Sequence, residues 1–295
     1  MSQQPYRLDS DWLRDHPLPQ VERGADKNSR GRTLVIGGST TVPGGILLTA
    51  EAAFRAGAGK VQIATVERAA IPLGLAMPET AVIGLPEDED GEIGSGCETR
   101  LAPWLARVDA VVAGPAMAGE GPAGRIVDFL LDTVEEATLV LDAAALGCLP
   151  PDRLKRLRGH RAPAILTPHI GEMAALLACE ADPIERDRAR AVRRAAECSG
   201  GVCLLKGSTS LVATPEGELF AYAGGGVGLA TGGSGDVLAG LAGGLAARGA
   251  PPREALLWAV WLHGEAGRRC AEQTGPLGFM ARELLAHVPG LMRAV

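Results

Sequence analysis

Aromatic side chains are scarce in this 295-residue chain, which has four Trp, two Tyr and four Phe. That scarcity removes the stacking platforms on which single-stranded nucleic acids are held. Positive charge is not in surplus either: 29 basic and 35 acidic residues give a formal net charge of −6. The basic footprint that a phosphate backbone requires is missing, so no nucleic-acid partner is expected. No run approaches the ~18 apolar residues of a membrane span; the longest candidate, Val237 to Ala247, is short and interrupted by glycine. The N-terminal stretch from Met1 to Asn28 is polar and lacks the apolar core of a secretory signal. Six cysteines (Cys97, Cys148, Cys179, Cys198, Cys203, Cys270) form no C-x-x-C pair and have no histidine at zinc spacing. They read as reduced, mostly buried thiols, and the expectation is a cytoplasmic protein with no membrane association. Lysine is the rarest cation, at positions 27, 60, 155 and 206 only, the other basic residues being arginine.

Glycine, by contrast, is abundant: 40 residues, about 14% of the chain, roughly twice the usual share. No repeat accompanies it, and an apolar content of 46% is ample for a packed core. Short β-branched runs alternate with longer helical patterns, the mark of βα units and a mostly parallel sheet. The expected strands are Thr33 to Ile36, Val61 to Thr65, Ala81 to Gly84, Ala110 to Ala113, Thr138 to Leu141, Ala164 to Leu166 and Val202 to Leu205. Helices are expected over Gly45 to Ala56, Gly121 to Leu131, Gly171 to Leu177, Pro183 to Glu197, Gly235 to Arg248 and Pro252 to Gln273. Ser210 to Thr214 and Leu219 to Ala223, around Pro215-Glu216-Gly217, read as a β-hairpin. The acidic segment Glu87 to Glu92 reads as a solvated loop. The fold class is therefore α/β, a single three-layer domain over residues 27–295 behind a polar N-terminal segment of residues 1–26.

The densest signal is Gly224 to Asp236, GGGVGLATGGSGD, where seven of the first twelve positions are glycine. Successive glycines let backbone N–H groups turn towards one anion, and the helix that follows adds its own unpaired N–H groups. A flexible surface loop is the bland alternative, but the hairpin-loop-helix context favours a phosphate cradle with an anion hole at Gly232, Gly233, Ser234 and Gly235. Asp236 in the first turn has a task there, accepting the proton of a hydroxyl that attacks phosphorus. Gly59-Lys60 lacks the Walker spacing, and no G-x-G-x-x-G follows a strand.

Other strand ends also carry polar residues. Leu166-Thr167-Pro168-His169-Ile170-Gly171-Glu172 ends one strand where open α/β sheets bind ligands. His169 reads as functional, and Glu172 divides evenly between function and a first-turn helix carboxylate. Lys206-Gly207-Ser208-Thr209-Ser210 follows another strand, and a lysine retained in an arginine-rich chain suits a phosphate. Gly114-Pro115 and Asp142 mark two more strand ends. Leu257, Trp258 and Trp261 form an apolar face that serves either core or interface.

In this order the motifs resemble the ADP-dependent NAD(P)H-hydrate dehydratase family, a branch of the ribokinase-like superfamily, over approximately Lys27 to Pro289. The resembling residues are Gly37-Gly38-Ser39 with Pro43-Gly44-Gly45, Arg55-Ala56-Gly57-Ala58-Gly59, Met77-Pro78-Glu79-Thr80, Val112 to Pro115, Leu141-Asp142-Ala143, Leu166 to Glu172, Leu205-Lys206-Gly207, Ala230 to Leu238 and Leu262-His263-Gly264. The resemblance implies a ribokinase-like fold and repair of NADH or NADPH hydrated across C5–C6 of the nicotinamide ring. ADP, or ATP in eukaryotic members, would drive removal of the C6 hydroxyl, with AMP and phosphate as the products from ADP. It implies nucleotide contacts from Lys206, Gly207, Ser208, Thr209, Ser210 and Gly235, substrate contacts from Gly45, Gly114, His169 and Asp236, and Mg²⁺ on the phosphates with no protein ligand assigned. It further implies a homo-oligomer, with a tetramer as the suggested assembly, and a stand-alone dehydratase without an epimerase domain. The chain departs from the family pattern at Ala144 (usually Asp), Ile170 (usually Pro), Ala116 (usually Gly) and Gly226-Val227 (usually Asn-Pro). Two other readings share the anion hole and the Asp: a ribokinase-like kinase of a thiazole or pyrimidine alcohol, and a nucleotide-binding protein without turnover.

Overall fold

The apolar runs become the strands of one ten-stranded sheet. The computed structural model describes residues 4–21, 24, 26–161 and 163–295. Its strands are β1 Tyr6–Arg7, β2 Arg32–Ile36, β3 Lys60–Val66, β4 Ala81–Leu85, β5 Ala110–Ala113, β6 Thr138–Leu141, β7 Ile165–Leu166, β8 Val202–Leu205, β9 Ser210–Ala213 and β10 Leu219–Tyr222. They lie in the order β1-β10-β9-β8-β7-β6-β5-β2-β3-β4. Neighbours from β8 to β4 are parallel, β9 is antiparallel to β8 and β10, and β1 is parallel to β10. Every residue of β5, β6 and β8 is buried, as strands covered on both faces must be, which is why they are uniformly apolar.

The chain runs from β2 outward to β4, then returns to β2's other flank at β5 and proceeds to β8. That reversal opens a crevice at the carboxyl ends of β2 and β5, the position where such sheets bind ligands. Two backbone turns meet there: the Gly38 N–H donates to the Pro115 carbonyl at 2.9 Å. A Cβ on Gly37 would lie 2.2 Å from the same oxygen.

Helices flank the sheet. Ser234–Ala247 packs on β2, β5 and β6 and against helices Gly45–Arg55 and Pro252–Thr274. Its small residues follow from that packing. A Cβ on Gly240 would sit 2.2 Å from the Thr49 carbonyl oxygen, and one on Gly244 would sit 2.5 Å from that of Ala53. Part of the glycine surplus therefore serves a close helix crossing. Leu257, Trp258 and Trp261 are 0%, 3% and 7% exposed, which places that apolar face in the core.

The structure departs from the sequence reading in three places. The polar N-terminal segment, of which residues 1–3, 22, 23 and 25 lie outside the described residues, supplies β1 and helix Ser10–Asp15. Leu13 is wholly buried, and Trp12 meets Phe220 edge-on at 5.4 Å. The helix expected over Pro183 to Glu197 is two helices, Ala181–Arg186 and Arg188–Ser199. Asp187 breaks it by leaving helical geometry and capping the second with a 3.0 Å bond from the Arg190 N–H. Glu87 to Glu92 is a loop with Glu89 and Asp90 exposed, but it is pinned at its ends, Glu92 being 7% exposed and Glu87 bridged to Ile93. Among the described residues no helix is long and apolar enough to cross a membrane. All six cysteines are free, four of them buried.

Candidate active site

The ends of β6, β7 and β8 bring together a charged cluster. Asp142, directly after β6, is 2% exposed. Its Oδ1 accepts from Thr167 Oγ1 at 2.6 Å and from Lys206 Nζ at 3.0 Å. Lys206 Nζ also lies 3.6 Å from Glu172 Oε2. Burial alone would pull the Lys206 ammonium down, but the Asp142 and Glu172 carboxylates outweigh it and hold the group above its usual range. The lysine is thus a fixed positive charge. Arg188 steadies its loop by donating to the carbonyls of Leu205, Lys206 and Thr209 at 3.3, 3.3 and 3.0 Å.

Helix Ser234–Ala247 starts beside that charge: a Cβ on Gly235 would lie 3.6 Å from Lys206 Nζ and 3.8 Å from Asp142 Oδ2. Its N-cap, Gly233, sits at φ +86° and makes no side-chain capping bond. First-turn amides have no carbonyl one turn back. The Ser234 N–H closes onto Thr231 at 3.3 Å and the Val237 N–H onto Gly233 at 3.1 Å, with Gly235 and Asp236 between them in the first turn. Ser234 itself is held by its hydroxyl, 2.8 Å from His263 Nε2. Burial pushes His263 down to about 4, the Lys206 charge adding to it and the contact with Ser234 opposing it. The imidazole is neutral at pH 7 and shares one hydrogen bond with the serine hydroxyl.

Asp236 stands one turn into the same helix start. Burial pushes its carboxyl up to about 7, the Asp142 charge raising it further and Lys206 acting against them. A carboxylate poised near neutrality suits a general base. A Cβ on Gly45 would lie 3.3 Å from Asp236 Oδ2 and 2.6 Å from Ala116 Cβ, so glycine at 45 lets its turn close onto Ala116 beside the Asp236 carboxylate.

A cavity of about 830 Å³ opens beside Lys206 and this helix start. Lys206, Gly207, Ser208, Ser210, Ser234 and Gly235 line it, with His169, His263 and an apolar surface that includes Leu229, Leu238 and Val260. Thr209 lies outside that lining, its carbonyl taken by Arg188. Gly45, Gly114, Gly232, Gly233 and Asp236 are also outside it. Gly114, at φ +108°, packs β5 on β6, since a Cβ there would lie 1.9 Å from the Asp142 carbonyl oxygen. His169 caps helix Ile170–Leu177 through a 3.2 Å bond from the Glu172 N–H, and Glu172 returns one from the His169 N–H at 2.8 Å. Glu172 is thus both a helix carboxylate and a partner of Lys206.

Sequence reasoning left Asp142 as one acidic strand end among several and gave no role to His263 or Arg188. His263 carried a signal, its place in Leu262-His263-Gly264, but its partner is 29 residues away. The three link segments that only the fold brings together.

The sheet order, the flanking helices and the glycine-led helix at the carboxyl edge define a ribokinase-like α/β protein. The chain belongs to the NAD(P)H-hydrate dehydratase family, whose model matches residues 33–289. The ADP-dependent (S)-NAD(P)H-hydrate dehydratase of Xanthomonas campestris is 44% identical over 280 residues, covering 95% of this chain and 93% of that protein. The bifunctional NAD(P)H-hydrate repair enzyme Nnr of Moorella thermoacetica is 38% identical over 97% of this chain and 53% of that protein. This chain thus spans about half the length of that relative. The ADP/ATP-dependent NAD(P)H-hydrate dehydratase from Bacillus subtilis, co-crystallised with ATP and Mg²⁺, superposes with a TM-score of 0.80 at 26% identity, covering 98% of each chain.

Proposed function

We propose that this chain restores hydrated NADH and NADPH by dehydration, with ADP as phosphoryl donor. The observation that carries the reading is the position of Asp236: a buried carboxylate titrating near neutrality, beside the close contact of Gly45 with Ala116 and in the first turn of a helix whose glycine cap makes no side-chain bond. In this reading ADP takes the cavity with its phosphates over Lys206 to Ser210 and Gly235, and the hydrated ring is assigned to the side of Gly45, Gly114 and His169 by the resemblance to the family. Asp236 takes the proton of the C6 hydroxyl as its oxygen attacks the β-phosphorus, and AMP leaves with the electrons of the broken P–O bond. Phosphate then departs with the C6–O electrons as the ring nitrogen donates its lone pair, and loss of the C5 proton restores the double bond. Phosphorylation matters because hydroxide is a poor leaving group and phosphate a good one.

Mg²⁺ fits this arrangement as an ion carried mainly by the nucleotide. Among the described residues no group of three His, Cys, Asp or Glu could hold a metal, and Mg²⁺ commonly takes one or two carboxylates plus phosphate oxygens. Asp142 and Glu172 are the carboxylates at the phosphate end, and the ion would neutralise phosphate charge there. We read residues 27–295 as one catalytic unit to which β1 adds a strand.

The test is recovery of the reduced-nicotinamide absorbance band when hydrated NADH is mixed with protein, Mg²⁺ and ADP. No recovery with ADP or with ATP would overturn the proposal. A stable phosphorylated alcohol would instead make the chain a kinase, and tight nucleotide binding without turnover would make it a binding protein.

A further inference from the structure

Next to the base pocket, residues 86–94 fold into a tight hairpin. The Asp88 N–H donates to the Glu92 carbonyl at 2.9 Å and the Gly94 N–H to the Pro86 carbonyl at 2.7 Å. Asp88 Oδ1 accepts from the N–H groups of Asp90 and Glu92 at 3.1 and 2.9 Å. The hairpin holds two other turns. The Gly91 carbonyl accepts the Thr40 N–H at 2.9 Å. Gly91, at φ +76°, approaches so closely that a Cβ would lie 1.9 Å from Thr40 Oγ1. The next residue, Glu92, is 7% exposed, and both of its carboxylate oxygens lie 3.3 Å from the Ala118 nitrogen. Ala118 stands just before Gly119, the N-cap of helix Glu120–Thr133.

Thr40 belongs to the turn that runs into Gly45, and Ala118 to the turn that begins at Gly114. Those turns touch at Gly45 and Ala116, next to the Asp236 carboxylate. A carboxylate is costly to bury unless hydrogen bonds hold it. Burial pushes Glu92 above the usual carboxylate range, with the Ala118 and Gly119 amides working against that and Asp88 and Asp90 adding to it. The acid is buried in a segment that grips both turns, Gly91 holding Thr40 and Glu92 holding Ala118.

We propose that Glu92, together with Gly91, is a positioning residue that clamps residues 37–45 to residues 114–119 and so fixes the pocket in which Asp236 meets the hydrated ring. The proposal rests on the dehydratase reading for its kinetic consequence, but the clamp has a readout of its own. A simple helix cap on Glu120–Thr133 would affect only the 114–119 turn and that helix. A clamp also reaches Thr40.

Hydrogen exchange, followed residue by residue, should show Glu92→Ala accelerating the Thr40 amide as well as that of Ala118, with Glu92→Gln restoring most of the protection. In steady-state assays Glu92→Ala should raise KM for hydrated NADH by ~10-fold or more while KM for ADP stays within about 2-fold. Glu92→Gln, which keeps an oxygen acceptor, should recover most of that loss. Gly91→Ala, forced away from Thr40, should reproduce the KM split without touching the carboxylate, and serves if Glu92→Ala does not fold. Unchanged Thr40 exchange in Glu92→Ala overturns the clamp, as do equal shifts in both KM values. Failure of the wild type to form NADH would count against the dehydratase reading and leaves the exchange test standing.

Discussion

Helices Ile170–Leu177 and Ser234–Ala247 begin at the same edge of the sheet and treat their first turns in opposite ways. At the first, His169 Nδ1 takes the Glu172 N–H and Glu172 takes the His169 N–H, a complete capping box. At the second, Gly233 occupies the cap with no side-chain bond. Both carry a partial positive charge from the helix dipole, yet only the first has a side-chain acceptor on its cap. The first has already placed a carboxylate where an anion would go. The difference teaches that an anion site depends on what the cap leaves unpaired, and Lys206 reinforces the contrast. Its ammonium is 3.6 Å from Glu172 Oε2 and would be equally near a Cβ on Gly235, so one cation serves a filled helix start and an open one.

The strongest way to break this comparison is Asp236→Asn. If the open start is the reacting end, the rate should fall by ~10²–10⁴; a fall of less than 10-fold would remove the base from the mechanism. With the Asp236 carboxyl at about 7, raised first by burial and then by the Asp142 charge, wild-type kcat/KM should climb with pH through about 7 and level off above it. Stability should move the other way. The folded-state value lies above the unfolded 3.8, so the folded protein binds this proton more tightly. That contribution is full below about 4 and is lost as pH rises through about 7. Asp236→Asn should therefore exceed the wild type in stability by ~2–4 kcal/mol at pH 8 and by little near pH 4, as read from denaturant melts.

Next in size is the charge that joins the two helix starts. Lys206→Met leaves Asp142, 2% exposed, as an unpaired buried carboxylate, and breaking such a pair costs ~3–5 kcal/mol. Asp142→Asn removes a like charge from Asp236 and frees Lys206 to act on it. Both effects lower the Asp236 value, so the acidic limb of the pH–rate profile should move below the wild-type position near 7. A limb that stays put would show that Asp142 and Asp236 do not interact.

The sequence made the strands legible because β5, β6 and β8 are apolar at every position and short. It also made the open helix start legible, since GGSGD concentrates glycine where a carboxylate follows. Other parts needed three dimensions. The sequence reading assigns no helix to Glu67–Ala76 or Cys97–Leu105, each of which contains a proline, Pro72 and Pro103. Asp187 splits a helix whose periodicity reads as continuous. In the site, His263 and Ser234 are 29 positions apart and Lys206 and Asp142 are 64 apart; no local pattern records such pairs. The glycines of Ser234–Ala247 look like an extension of the cradle, yet Gly240 and Gly244 answer to Thr49 and Ala53 on a neighbouring helix. Composition counts the glycines without separating those that leave amides open from those that bring backbones together.

The smallest effect belongs to the filled helix start. His169→Ala removes the cap of Ile170–Leu177 and should cost ~1 kcal/mol of stability, with His169→Asn recovering most of it because asparagine also accepts the N3 amide. The side chain is 59% exposed, so little core packing is lost with it. Its effect on kcat should be at least ~10-fold smaller than that of Asp236→Asn, with any change concentrated in KM for the hydrated dinucleotide, as expected for a group that binds without moving a proton. A loss of kcat comparable to that of Asp236→Asn would mean that the capped helix start takes part in the chemistry, and the division between a filled and an open N-terminus would fail.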